Sequence, residues 1–122
     1  MPLADIQLSS HEGTVIARVT GEIDMSNAAD LRTAVTEATP NEAPGVVLDL
    51  SGVDYIDSAG IHFLFRLGES LRRRAQTLRV VVPPDSPAGE TLRLAGVTRH
   101  TDVVQELDEG LRAVAAASAN DP

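Results

Sequence analysis

The stretch Val46-Val47-Leu48-Asp49-Leu50 constrains the fold more than any other in this sequence. A strand with one wet face alternates apolar and polar residues. A run that is apolar at successive positions instead reads as a strand covered on both faces, as in parallel sheets flanked by helices. Asp49 is the one interruption, and its place near the end of the run is expected to let its side chain reach the surface. Leu78 to Val82 is a second strand of this kind, ended by Pro83-Pro84.

The remaining segments fit around these two strands. Leu3 to Leu8 and Thr14 to Val19 are short, partly alternating runs separated by His11-Glu12-Gly13, which reads as a hairpin. Gly21-Glu22-Ile23-Asp24 is expected to break the second strand. Asp24 or Ser26 can then cap a helix whose apolar positions are Ala28, Leu31, Val35 and Ala38. Residues 39–45 are a loop by composition. Ile61, Leu64, Phe65, Gly68, Leu71 and Ala75 trace the core stripe of a helix, with His62, Arg66, Glu69 and Arg73 on another face. Pro87 and Ala88 open a short helix carrying Leu92 and Ala95, with Gly96 as its C-terminal cap. Val103-Val104 reads as a short edge strand, and Leu107, Leu111 and Val114 mark a last helix. The tail, residues 116–122, is expected to fray. The sum is an α/β chain, a mixed sheet with helices packed on it, forming a single domain over residues 1–122 with no internal repeat.

Composition narrows the function. The chain has no cysteine, so disulfides, thiolate zinc sites and cysteine nucleophiles are absent. MPLADIQLSS has no positive region followed by an apolar core, so it is not read as a signal peptide, and no apolar run approaches the roughly 20 residues of a membrane helix. The expectation is a soluble cytoplasmic protein with no membrane insertion. A net charge of −8 argues against nucleic acid or anionic lipid as a direct partner. The one basic run, Arg72-Arg73-Arg74, suits a solvated helix C-terminus. All ten basic residues are arginine.

The junction Asp54-Tyr55-Ile56-Asp57-Ser58-Ala59-Gly60-Ile61 poses the functional question. Its serine can cap a helix, attack a substrate or carry a phosphate. Ser58 and His62 are one helical turn apart, with Asp54 and Asp57 nearby, which imitates a nucleophile, base and orienter. The geometry is poor for it, because a first-turn serine points towards free backbone N–H groups, and no Gly-x-Ser-x-Gly elbow is present. His11, His62 and His100 are scattered, so no metal site is expected. The glycines match neither a dinucleotide nor a P-loop fingerprint, so no cofactor is expected. A phosphoacceptor aspartate of the receiver-domain kind, at Asp49 or Asp54, would need a lysine that this chain lacks. There remains a serine at a helix N-terminus, where Asp57 or Ser58 serves as a cap worth ~1 kcal/mol. Gly60 is expected to let another backbone or a phosphate approach the turn, with Tyr55-Ile56 anchoring the loop beneath.

The block VVLDLSGVDYIDSAGIHFL resembles the signature of STAS domains, specifically the bacterial anti-sigma factor antagonists. Gly21-Glu22-Ile23-Asp24 resembles an earlier block of that family and LRLAGV, residues 92–97, a later one. The likeness covers about residues 3 to 115. It implies a sheet of four or five strands flanked by helices, and a protein that is not an enzyme. It also implies a partner switch: the unmodified protein binds an anti-sigma factor and frees the sigma factor. The anti-sigma factor, itself a serine kinase, phosphorylates the serine matching Ser58, and a serine phosphatase resets it. Asp24 matches an acidic residue close to the phosphoacceptor, and Asp57, Ala59, Gly60 and His62 share the partner-binding face. The family often carries small residues where this chain has His62 and Arg66. The alternative implied by the same fold is an adaptor subunit of a membrane transport assembly.

Overall fold

Glu12 and Gly13 both take positive φ, 51° and 85°, the pairing that a two-residue hairpin turn needs to match the twist of its strands. They join strand β1 (Ala4–His11) to β2 (Thr14–Ile23), which pair antiparallel from Ala4↔Gly21 to His11↔Thr14. The computed structural model describes residues 4–97 and 102–119. After the hairpin come helix α1 (Ala28–Ala38), β3 (Gly45–Ile56), α2 (Ser58–Arg73), β4 (Thr77–Val81), α3 (Pro87–Leu94), β5 (Val103–Val104) and α4 (Leu107–Ala119). The sheet order is β1-β2-β3-β4-β5, with every pair after the first parallel. The expected mixed α/β sheet of four or five strands is thus present, with five.

The apolar run of β3 behaves as its composition demands. Val46, Leu48 and Leu50 face the main core, which they share with Leu31 and Val35 of α1, Phe63 and Leu67 of α2, and Ala88 and Leu92 of α3. Val47 points the other way, into a smaller cluster with Val81, Val104 and Val114 beneath α4. Three helices therefore cover one face of the sheet and α4 covers part of the other.

Several sequence expectations are corrected. β3 does not end near Leu50 but continues to Ile56, and β2 does not break at Gly21 but runs to Ile23. The two strands extend together because register shifts between Arg18 and Thr20, and between Gly21 and Glu22, absorb the irregularity. Asp49 is consequently mid-strand and 2 % exposed. A buried carboxylate is costly unless hydrogen-bonded. Asp49 accepts from Arg18 Nε at 3.2 Å, and from Ser51 N–H at 3.0 Å and Ser51 Oγ at 2.6 Å.

The stripe of α2 is rotated from the expected one: Gly60, Phe63, Leu64, Leu67, Gly68 and Leu71 are buried, whereas Phe65 is 48 % exposed. Ala75 lies beyond the helix at a positive φ of 57°. Ala95 is the exposed C-cap of α3 rather than a core residue, and Gly96 follows at φ 78°. α4 reaches Ala119, past residue 116, where the tail expected to fray begins. Leu3, His100 and Thr101 lie outside the described residues.

Candidate functional site

The site is built where β2 and β3 end side by side. Ile23 pairs with Ile56, and the next residue, Asp57, donates its N–H to the Ile23 carbonyl at 3.3 Å. The carboxyl ends of parallel strands are where open α/β sheets place their ligand sites. At this edge one chain segment turns through Asp24–Asn27 into α1 and the other through Asp57 into α2.

Of the two candidate caps of α2, the structure selects Asp57. It is extended (φ −106°, ψ −170°), its Oδ1 accepts from Gly60 N–H at 3.1 Å, and its carbonyl accepts from Ile61 N–H at 3.0 Å. Ser58 is therefore the first helical residue and has no capping duty. Its side chain is exposed, and its hydroxyl has no hydrogen-bond partner among the described residues.

Neither Asp24 nor Ser26 caps α1. That position falls to Asn27, whose side chain makes no cap bond. Asp24 instead organises the turn. Its Oδ1 accepts from both the N–H and the hydroxyl of Ser26, and its carbonyl accepts from Ala28 N–H at 2.9 Å. Asn27 closes the turn by accepting from Asp24 N–H at 3.1 Å and donating to the Glu22 carbonyl at 2.9 Å. The turn leaves Met25 85 % exposed at its apex.

Between α1 and α2 lies an open cavity of about 410 Å³, whose walls include Met25 and Arg32 on one side and Ser58, Ala59, His62 and Arg66 on the other. Ser58, His62 and Arg66 stand on successive turns of one helix face. The structure thus brings Ser58, Ala59 and His62 to one cavity. Asp24 and Asp57 sit in the adjoining turns, outside the wall. Gly60 is buried beneath it, and its role differs from the expected one. A Cβ there would stand 2.4 Å from Ile56 Cγ1 and 3.1 Å from Ile23 Cγ2, so the missing side chain admits the strand ends and not a ligand.

Tyr55 is half exposed while Ile56 does the anchoring. Met25 and Arg32 escaped sequence reasoning: periodicity puts them near or on α1, but only the packing of α1 on α2 turns them towards Ser58. Among the described residues no hydrogen bond joins Ser58 to His62, no cluster of three potential metal ligands occurs, and no helix is long and apolar enough to cross a membrane. An exposed hydroxyl beside two cations suits an anionic group more than general-base chemistry.

Known proteins share this fold. The STAS domain family matches residues 5–110. The anti-sigma-F factor antagonist RsfB of Mycobacterium tuberculosis is 26% identical over 110 residues, covering 89% of this chain and 88% of that protein. The crystal structure of an anti-sigma factor antagonist from Mycobacterium paratuberculosis superposes with a TM-score of 0.78 at 28% identity, over 92% of this chain and 94% of that one. A sulfate transporter family protein from Wolinella succinogenes has the same fold at 21% identity, with a TM-score of 0.72 over 92% and 93% of the two chains. The family match runs from the first strand into the last helix, and the chain belongs to the STAS domain family.

Proposed function

We propose that this chain is a cytoplasmic, non-enzymatic anti-sigma factor antagonist controlled at Ser58. Unphosphorylated, it binds an anti-sigma factor and so releases a sigma factor. Phosphorylation of Ser58 by the serine kinase activity of that anti-sigma factor ends the complex, and a serine phosphatase restores it. The observation that carries this reading is the free Ser58 hydroxyl: exposed, relieved of capping by Asp57, and presented at the mouth of a cavity. The resemblance to antagonists along nearly the whole chain supports the same conclusion. Ala59 and His62 would touch the partner around Ser58, with Asp24 and Asp57 at the rim. Gly60 would serve from below by letting the helix start sit on Ile56.

Charge explains how such a switch works without refolding. A phosphate adds about −1.5 to −2 charge. A helix N-terminus favours an anion by about 0.3–2 kcal/mol, so the fold tolerates it. Against an acidic partner group at about 4 Å, each unit pair of like charges costs about 4 kcal/mol at an effective dielectric near 20. With such a group on the partner, the interface loses more than the fold gains. The test is incubation with ATP and the serine-kinase anti-sigma factors of the same genome, read by intact mass. One phosphate on the wild-type chain and none on Ser58→Ala is expected; a phosphate retained by Ser58→Ala removes the assignment.

The fold shared with a sulfate transporter family protein favours one other reading, a fixed adaptor in a membrane transport assembly. Co-purification separates the two. An ATP-binding kinase in the complex supports the switch, and transporter subunits support the adaptor.

A further inference from the structure

The cavity beside Ser58 is lined by two arginines. Arg32 reaches it from α1 and Arg66 from α2, and neither side chain has an ion pair or hydrogen bond among the described residues. Five of the other described arginines have side-chain partners, whereas Arg72 and Arg112, which line other cavities, have none among the described residues. Arg18 bonds Asp49, Arg73 meets Glu69, Arg79 meets Asp102 and Arg93 meets Glu90, while Arg74 donates to the Thr36 and Thr39 carbonyls. Acidic residues outnumber basic ones 18 to 10 in this chain, so two unmatched arginines sharing one cavity are not explained by a shortage of carboxylates. The titratable side chains lining the cavity are Arg32, His62 and Arg66, with no carboxylate in its wall. The nearby carboxylates of Asp57 and Asp24 are engaged by Gly60 N–H and by Ser26.

We infer that Arg32 and Arg66 form a receptor for the phosphoryl group on Ser58, closing the chain's own cavity around the new charge. The inference rests on the proposed phosphorylation of Ser58 and adds what becomes of the phosphate afterwards. A planar guanidinium matches phosphate oxygens with paired hydrogen bonds, and two of them offset a charge near −2. Ser58 and Arg66 are separated by about 12 Å of helical rise. Helical side chains lean towards the N-terminus, so Arg66 leans towards Ser58 but, two turns away, acts on the phosphoryl group as a charge and not through paired hydrogen bonds, while Arg32 lines the cavity from α1. Phosphorylation on this account withdraws two cations from the partner-facing surface as well as adding an anion to it.

The test uses the full chain with phosphoserine placed at position 58 during translation, in the wild-type, Arg32→Gln, Arg66→Gln and doubly substituted backgrounds. The phosphate is titrated by phosphorus-31 NMR. Its second pKa, ordinarily near 6, should fall by about one unit in the wild-type background, because neighbouring cations favour the dianion. The double variant should lose the arginines' share of that fall and titrate about one unit above the wild-type background, the helix N-terminus keeping its own effect in both, with each single variant between. Arg73→Gln removes a cation from the exposed far end of α2 and should leave the titration unchanged.

Identical titration in the wild-type and double-variant backgrounds overturns the receptor, and so does an equal change in Arg73→Gln. If the double variant fails to fold, Arg66→Gln alone carries the test, since Arg66 is an exposed residue. No kinase is needed, so a chain that kinases ignore counts against the switch and not against the receptor. A chain phosphorylated at Ser58 but titrating normally does the reverse.

Discussion

Two turns on the same edge of the sheet, β3 to α2 and β4 to α3, solve one problem with different residues. Each must satisfy the free N–H groups at a helix start. At α3 the serine itself is the cap: Ser86 Oγ accepts from Gly89 N–H at 3.0 Å and donates to the Pro83 carbonyl at 2.7 Å. At α2 an aspartate takes that place, and Asp57 Oδ1 accepts from Gly60 N–H at 3.1 Å. Both turns carry glycine three residues after the cap, and in both the space a Cβ would need is filled. One serine is thus consumed by structure, while the other is shifted one position along and left free. What separates a structural serine from an available one here is which neighbour caps the helix.

The largest test of that contrast is all-or-none. Incubated with the cognate kinase and ATP, Ser86→Ala should take up one phosphate as the wild type does, and Ser58→Ala should take up none. Phosphate on residue 86 of the Ser58→Ala chain would show that a capping serine is equally available, and the contrast would fail.

Next in size are the two glycines. Gly89→Ala puts a methyl group 2.3 Å from the Pro83 carbonyl oxygen, a backbone atom that cannot swing away, and about 3 kcal/mol of stability should be lost. Gly60→Ala meets the Ile56 side chain at 2.4 Å, which can yield, and about 2 kcal/mol is expected. Urea unfolding of both variants measures the difference, and the reverse order would mean that the α2 turn is the more rigid of the two.

A smaller effect attends Ser58→Asp. The fold should persist, because an anion suits a helix N-terminus. Affinity for the anti-sigma factor should fall about tenfold, or about 1.4 kcal/mol. Undiminished binding by the folded variant would favour the adaptor reading.

The smallest effect sharpens the comparison most. Ser86→Ala should lose about 1 kcal/mol of stability as a lost N-cap, whereas Ser58→Ala should change stability by only a few tenths. Equal losses in thermal or urea unfolding would mean that Ser58 shares the capping that the geometry gives to Asp57.

Much of this was written in local sequence. The apolar run of β3, the hairpin at His11-Glu12-Gly13 and the helix start at Pro87-Ala88 each follow from neighbouring residues, and each lies where expected. Position 58 was also legible, as a serine between a buried strand and an amphipathic helix. The misreadings share a cause in contacts distant along the chain. Ser51-Gly52 looks like a strand end, yet β3 continues because Gly52 fits against the Thr20 side chain of β2. The core stripe read from periodicity includes Phe65 and not Phe63, and the docking of α2 on the sheet buries the second instead. Arg32 became part of the site only through the packing of α1 on α2.

The hydrogen bond from Asp57 N–H to the Ile23 carbonyl ties the setting of Ser58 to the pairing of β2 with β3. The β1–β2 hairpin closes over two residues and needs nothing else, an event of microseconds on the order of 1–10. The parallel pairing of β2 with β3 waits for a long loop containing all of α1 to close, and such pairing is slow. Until it forms, Ser58 is one hydroxyl among several on a fluctuating chain. A kinase that recognises the finished turn would register only completed molecules, so newly synthesised or denatured copies would be silent and the signal would scale with the native pool.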